Sequence, residues 1–338
     1  MQSTAESPVT GAAWITWEHQ RRNIGVSSGL GVPLFELAFK GGRLKRYVKS
    51  LLATARVLTT KKPSVLFVQN PSIVLAFTAV VWGRLGGRPV IVDAHNAGLT
   101  PLEGRSSLLT RAAAFISRQA SLTIVSNAAL TPIVDAYGGR PFVLPDPIPE
   151  LPAGVAPDGA AGRLRVLFIC TYASDEPYPA VVQAARAFID EAQVYVTGRL
   201  KPQHEALRQS APANVIFTGF LPEGRFIGLL HAADVVMDLT TRDNCLVCGA
   251  YEGVAAGKPL ILSDSRATRE YFSRGVVYTD NTPGSIEQCL REALADRRRL
   301  AQEVAQLRTR LVDDWSRRSE ILKQEIAKLR GQDSQVLR

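Results

Sequence analysis

The sequence predicts an α/β protein made of two doubly wound, Rossmann-like domains that face a cleft. Three observations predict it. The 338 residues exceed what one hydrophobic core ordinarily serves, so two domains are the starting expectation. Short apolar runs alternate with helix-length stretches along most of the chain, the pattern of parallel sheets covered on both faces. A proline cluster, Pro145, Pro147, Pro149 and Pro152, breaks that alternation once. Prolines so spaced fit neither a central strand nor a helix interior, and they read as an interdomain hinge. The expected division is residues 1–147, then 148–312, with 313–338 as a helix packing back on the first domain.

Each element follows from local pattern. In the first half, Ala13–Trp17 reads as a strand and Arg43–Leu58 as an amphipathic helix with apolar residues at helical spacing. Ser64–Asn70, Pro89–Asn96 and Ser121–Asn127 read as further strands, and residues 106–120 as a helix. The run Ser72–Trp82 stops well short of the ~20 residues a membrane span needs, so it is expected as a buried helix. A short strand precedes the prolines. The second half repeats the scheme with strands at Arg165–Tyr172, Ala192–Gly198, Asn214–Phe220, Asp234–Thr240 and Pro259–Asp264. The intervening stretches PAVVQAARAF, EGRFIGLLHAA, VCGAYEGVAAG and SIEQCLREALAD read as helices. The terminal helix carries Leu300, Val304, Leu307, Leu311 and Trp315 on one stripe, then Ile321, Leu322, Ile326 and Leu329.

Composition bounds the function. Hydrophobic content of 46% and charged content of 21% fit a soluble globular chain. The four scattered cysteines do not make a disulfide scaffold, so a reducing cytoplasm is expected. The polar start MQSTAESPVTG is expected to fray and shows no secretory signal. The net charge of +9 is uneven, with no acidic residue between Glu36 and Asp93 and ten basic ones there. Such a block attracts an anionic partner. Aromatic residues are not interleaved as base-stacking platforms, which argues against nucleic acid. The apolar stretch Leu30–Phe39 directly precedes the densest charge, so an anionic membrane surface is the expected partner, against a plain solvated face.

Ligands of open parallel sheets bind beyond the carboxyl ends of the strands. In the first half those ends hold Asp93 and His95; an imidazole there can donate to a sugar hydroxyl or carry a proton, unless it is merely a satisfied loop histidine. In the second half they hold Thr171 and Ser174, which can donate to phosphate oxygens, and Arg199, Lys201 and Arg242, which can neutralise a diphosphate. A helix start expected near Asn244–Val247 offers free amides for an anion. Glu252 is expected about two turns into that helix, where its carboxylate can accept both hydroxyls of a ribose. There is no G-x-G-x-x-G after the first strand and no phosphate-loop motif ending in Gly-Lys-Ser/Thr. Cys245 and Cys248 lack a second pair and stand as semi-buried packing residues rather than a metal or redox site.

The segment from Asn214 to Asp264 resembles the donor domain of GT-B glycosyltransferases, closest to glycosyltransferase family 4. Glu252 with Ala255, Gly257, Lys258 and Pro259 matches the second half of the family's paired-glutamate motif. Asn244 stands where the first glutamate is usual, with Asp243 beside it. The stretch after the first strand, EHQRRNIGVSSGLG, replaces the family's glycine-rich loop, and its basic residues face an anionic or lipid-linked acceptor in this reading. The resemblance implies transfer of a sugar from a nucleotide-diphosphate sugar to an acceptor hydroxyl, with retention and with no metal or other cofactor. It implies acceptor binding by the first domain and donor binding by the second. Glu252 would hold the ribose. Arg199, Lys201, Arg242, Thr171 and Ser174 would hold phosphate, and Asp243, Asn244, Asp93 and His95 the sugar. The acceptor would be a carbohydrate or a lipid-linked precursor, and the protein cytoplasmic, peripheral on the membrane's cytoplasmic face. Two other readings stay open: a nucleotide-sugar epimerase or hydrolase of the same fold, and a degenerate nucleotide-sugar-binding protein.

Overall fold

The computed structural model describes residues 9–155 and 162–336. The expected fraying of the first residues therefore lies mostly outside the described residues. The chain divides into two compact units, residues 1–147 with 313–338, and residues 148–312.

Unit 1 is built on a six-stranded parallel sheet of β1 (Ala12–Thr16), β2 (Leu34–Glu36), β3 (Val65–Asn70), β4 (Val90–Ala94), β5 (Leu122–Val125) and β6 (Pro141–Val143). The order across the sheet is β2-β1-β3-β4-β5-β6. Helices α1 (Arg21–Leu30), α2 (Arg43–Lys61), α3 (Ile73–Gly86), α4 (Asn96–Leu99), α5 (Ser107–Gln119) and α6 (Thr131–Ala136) connect them. The β1, β3 and β4 strands are buried at every position. Trp14 and Phe67 stack across the β1–β3 pair with ring centroids 5.2 Å apart.

Three features differ from the expectation. The stretch read as a loop after the first strand is α1, closed by Gly31 at φ 72°. Its Gly29 is obligatory by contact, because a Cβ there would fall 2.1 Å from the Trp315 ring. The α2 helix leaves several of its apolar residues on the outer face. Ser50, Thr54 and Leu58 are its buried residues, whereas Leu44, Val48 and Leu52 are 79%, 48% and 67% exposed. Ser50 donates to the Leu37 carbonyl and Thr54 accepts from Trp17 Nε1, so polar groups anchor the inner face. The apolar α3 is buried along one face only, through Leu75, Ala76, Ala79, Val80 and Gly83; Val74 and Phe77 face solvent.

Unit 2 has a second parallel sheet, from β7 (Leu164–Phe168), β8 (Ala192–Thr197), β9 (Val215–Gly219), β10 (Val235–Asp238), β11 (Leu260–Ser263) and β12 (Val276–Thr279). Its order is β12-β11-β10-β7-β8-β9. Helices α7 (Tyr178–Ala184), α8 (Glu205–Ser210), α9 (Glu223–Ala232), α10 (Cys248–Ala255), α11 (Arg266–Tyr271) and α12 (Pro283–Ala295) cover it. The short β2 and β12 edge strands were not expected from sequence. The last helix, α13 (Arg297–Val336), lends Leu300, Val304, Leu307 and Leu311 to the apolar clusters of unit 2. Further on, Leu322 and Ile326 are fully buried in a cluster with Trp14, Val26, Leu30 and Phe67 of unit 1.

Both sheets reverse direction once. In unit 1 the chain goes from β1 to β2 on one side and then to β3 on the other; in unit 2 it runs β7, β8, β9 and then returns to β10 beside β7. Each reversal opens a crevice at the carboxyl ends of the two strands involved.

Candidate functional site

In unit 1 the crevice between β1 and β3 is filled by its own polar groups. Thr16 Oγ1 donates to Gln69 Oε1 at 2.6 Å, and Asn23 Nδ2 donates to the same oxygen at 3.0 Å. Gln69 Nε2 in turn donates to Gln20. Beside this network lies Asp93, fully buried at the end of β4. Its carboxylate is taken by Arg22 of α1, whose Nε donates to both oxygens at 3.1 and 3.0 Å and whose Nη2 donates at 2.6 Å. Arg22 also pairs with Asp146 and donates to the Leu144 carbonyl at 3.0 Å. Burial acts against the guanidinium charge, but the two carboxylates outweigh it and hold Arg22 above its ordinary pKa. This corrects the reading of EHQRRN, since Arg22 is an interior ion-pair residue rather than a basic group facing an acceptor.

Asp93 and His95 are therefore not a simple pair. His95 Nε2 lies 3.8 Å from Asp93 Oδ2, beyond hydrogen-bond length, and has no hydrogen-bond partner among the described residues. The ring is 30% exposed, but that nitrogen is shielded. Shielding from water lowers the His95 pKa, assisted by the charge of Arg22 and opposed by Asp93. The neutral ring keeps a nitrogen able to donate or accept. Its backbone is fixed by donation to the Asn70 carbonyl at 3.0 Å and by α4, which starts on it.

In unit 2 the crevice lies between β7 and β10. The β10 strand ends on Asp238, a buried carboxylate that accepts from the Gly249 N–H at 2.7 Å. Only glycine allows that approach, because a Cβ at Gly249 would stand 2.5 Å from Asp238 Oδ2. Burial pushes the Asp238 pKa well up, against that hydrogen bond and with help from the charges of Glu176, Glu252 and Asp175. The α10 helix begins at Cys248, later than expected, so Glu252 stands about one turn into it rather than two. Glu252 is 7% exposed.

The remaining expected residues are arranged as follows. Asn244 is in the left-handed region at φ 57° and half-buried, and Asp243 beside it is exposed. Arg242 lies on the same loop, with Nε 3.4 Å from Asp175 Oδ2. Asp175 further joins the loops after β7 and β10, accepting from Thr240 Oγ1 at 2.9 Å and from the Thr241 N–H at 2.7 Å. Arg199 and Lys201 are exposed on the loop after β8, the other neighbour of β7. Ser174 is exposed. The Thr171 hydroxyl, expected to serve phosphate, donates to Glu176 at 2.8 Å. Cys245 is half-buried and Cys248 is exposed, which corrects the packing role expected of the latter. Thus Thr171, Arg242, Asp243, Asn244 and Glu252 belong to loops and a helix around one crevice of unit 2, and Asp93 and His95 to unit 1. Sequence reasoning missed Arg22, Asp175, Glu176 and Asp238. The signal for Asp238 was available: a carboxylate ending a buried strand, with a glycine opening the next helix.

No protein-family model and no curated protein matches the chain. Solved structures resemble it. Anabaena HepE, in complex with UDP and glucose, has a TM-score of 0.69 at 13% identity, covering 97% of this chain and 99% of HepE. A glycosyltransferase from Rickettsia africae has a TM-score of 0.64 at 10% identity, covering 94% of this chain and 98% of its own. Sucrose-phosphate synthase from Thermosynechococcus elongatus has a TM-score of 0.60 at 16% identity, covering 90% and 83%. At such identities the likeness is one of fold, and the chain has the two-domain, Rossmann-like GT-B fold.

Proposed function

We propose that the protein is a glycosyltransferase that moves a sugar from a nucleoside-diphosphate sugar to an acceptor hydroxyl. The observation that carries this reading is the crevice of unit 2, where a buried Glu252 and the Arg242 loop flank the β7 and β10 ends in a fold shared with HepE, a protein crystallised with UDP and glucose. In this reading Glu252 accepts the ribose hydroxyls, Arg242, Arg199, Lys201 and Ser174 stabilise the leaving diphosphate, and Asp243 and Asn244 bond the sugar. His95 of unit 1, held by its backbone, bonds a sugar hydroxyl in this reading, and Asp93 sets the field around it. Transfer is proposed to proceed with retention, without a metal ion, as the resemblance to glycosyltransferase family 4 implies. A thermal-shift panel of nucleotides and nucleotide sugars tests the donor, because a ligand bound only by the folded state raises its midpoint. Glu252→Gln is expected to weaken nucleotide binding about tenfold, roughly 1.4 kcal/mol. Unchanged affinity and turnover would remove Glu252 from the site.

We further propose a lipid-linked acceptor, reached from an anionic membrane surface. The outward Leu44, Val48 and Leu52 of α2, interspersed with Lys45, Lys49 and Arg56, support this. No helix among the described residues is long and apolar enough to cross a membrane. Co-flotation with anionic vesicles is expected, lost in high salt and in a Leu44→Ser, Leu52→Ser double variant; equal binding to neutral vesicles contradicts it. A second reading, a nucleotide-sugar-binding protein without transfer, is favoured by Asn244 in place of the usual first glutamate. Donor consumption that requires an acceptor selects the transferase over that reading and over a hydrolase or epimerase.

A further inference from the structure

The loop that follows β7 has the geometry of an anion nest. Tyr172 sits in the left-handed region at φ 61°. The N–H groups on either side of it, of Thr171 and Ala173, converge on one oxygen, each at 2.9 Å. Successive amides around such a residue form a concavity that takes phosphate and other oxyanions. Here the occupant is Glu176 Oε2. The same carboxylate accepts from Cys170 Sγ at 3.2 Å and, through Oε1, from Thr171 Oγ1 at 2.8 Å.

The receptor is rigid, whereas its occupant is a side chain at the mouth. Cys170 N donates to Thr197 Oγ1 at 2.9 Å, and a Cβ on the neighbouring Gly198 would meet the Cys170 carbonyl at 2.3 Å, so the base of the loop is locked to β8. The buried Tyr172 ring stacks on His204 with centroids 5.0 Å apart and meets Tyr178 edge-on at 5.3 Å. Thr171 and Ser174 are exposed and Glu176 is half-buried, so solvent reaches the nest. It opens beside the β7–β10 crevice, next to the loop that carries Arg242.

We infer that this nest is a phosphate site held shut by Glu176, and that a diphosphate binds there by displacing the Glu176 carboxylate. That the diphosphate belongs to a nucleotide sugar rests on the proposed function; the nest itself does not. Two oxyanions cannot share the Thr171 and Ala173 amides, and their charges repel. Apparent affinity is then reduced by the fraction of molecules in which Glu176 has moved aside; an open fraction of about one in ten costs about tenfold.

Calorimetric titration of the full-length protein with inorganic pyrophosphate tests this in wild type, Glu176→Gln and Glu176→Ala, with circular dichroism to check folding. Glu176→Ala is expected to bind pyrophosphate about tenfold more tightly than wild type, with Glu176→Gln between them. The amide resonances of Thr171 and Ala173 are expected to move on titration of either variant. Unchanged or weaker binding in a folded variant, or amides that stay still, overturns the inference and leaves Glu176 as a structural staple of its loop. If the alanine variant does not fold, the glutamine variant, which keeps a carbonyl acceptor for the amides, decides alone. The probe carries neither nucleoside nor sugar, so tight pyrophosphate binding without nucleotide-sugar turnover rejects the transferase reading and keeps the nest.

Discussion

The two crevices of this protein solve one problem in opposite ways. Each sheet reverses direction beside a buried carboxylate, Asp93 in unit 1 and Asp238 in unit 2. Asp93 is neutralised by a side chain of opposite charge, Arg22, which also binds Asp146. Among the described residues no cation is ion-paired with Asp238. It accepts a hydrogen bond from the Gly249 amide, and Glu176, Glu252 and Asp175 add charge of its own sign. Side-chain neutralisation makes a closed, permanent structure. A single backbone amide does not offset burial and the neighbouring carboxylates, and the Asp238 pKa stays well above its ordinary value. The contrast is between a carboxylate paired with a guanidinium and one held by a backbone amide.

The largest way to break this contrast is at Arg22. Arg22→Met leaves two carboxylates without their cation, one of them fully buried, and is expected to destabilise the protein by about 3–5 kcal/mol. Urea denaturation measures it. Arg22→Lys is expected to recover only part, since an ammonium cannot reproduce the forked contacts with Asp93 and Asp146. A loss under about 1 kcal/mol would mean that the cluster is not what holds this crevice.

A smaller effect is expected at Asp238. Folding raises its pKa, so its contribution to stability is complete below the ordinary value near 3.8 and is lost as pH climbs through the raised one. Asp238→Asn removes that loss while keeping a carbonyl for the Gly249 amide. Its melting temperature is expected to exceed wild type by a few degrees at pH 8, with the gap closing toward pH 4. A gap independent of pH would disconnect Asp238 from the charge surplus of its crevice.

The smallest effect concerns His95, whose pKa folding lowers. Its contribution is present above the ordinary value of 6.5 and is lost as pH falls below it. His95→Gln is expected to flatten the acid side of the stability profile slightly without moving the alkaline side. A profile parallel to wild type would mean that the imidazole is as solvated in the fold as outside it.

These assignments also show what sequence carries and what it does not. The alternation of strands and helices was legible because parallel strands buried on both faces must be apolar throughout, as β1, β3 and β4 are. The α10 helix was legible through its Gly-Lys-Pro stop, although its start was read too early. The α1 helix was not, because glycines and serines in its sequence point to a loop; the Gly29–Trp315 contact overrides that propensity from the other end of the chain. The outward face of α2 was invisible, since periodicity reports that a helix has two faces and not which one meets the protein. Arg22 was visible as a residue, but its partners lie 71 and 124 positions away. Glu176 stood in a stretch already under scrutiny. Its role depends on the backbone angle of Tyr172, a non-glycine residue that gives no sign in sequence of turning left-handed.

The terminal helix has a consequence for how the protein is made. Leu322 and Ile326 fill the same apolar cluster as Trp14 and Phe67, residues that are synthesised well before them. Unit 1 therefore lacks part of its core until Leu322 and Ile326 have been synthesised, with the whole of unit 2, residues 148–312, translated in between. At ordinary translation rates that interval is on the order of ten seconds. During it the nascent N-terminal sheet displays an uncovered apolar surface. A chaperone that holds such surfaces, or early folding of unit 2, would decide how much of the product survives.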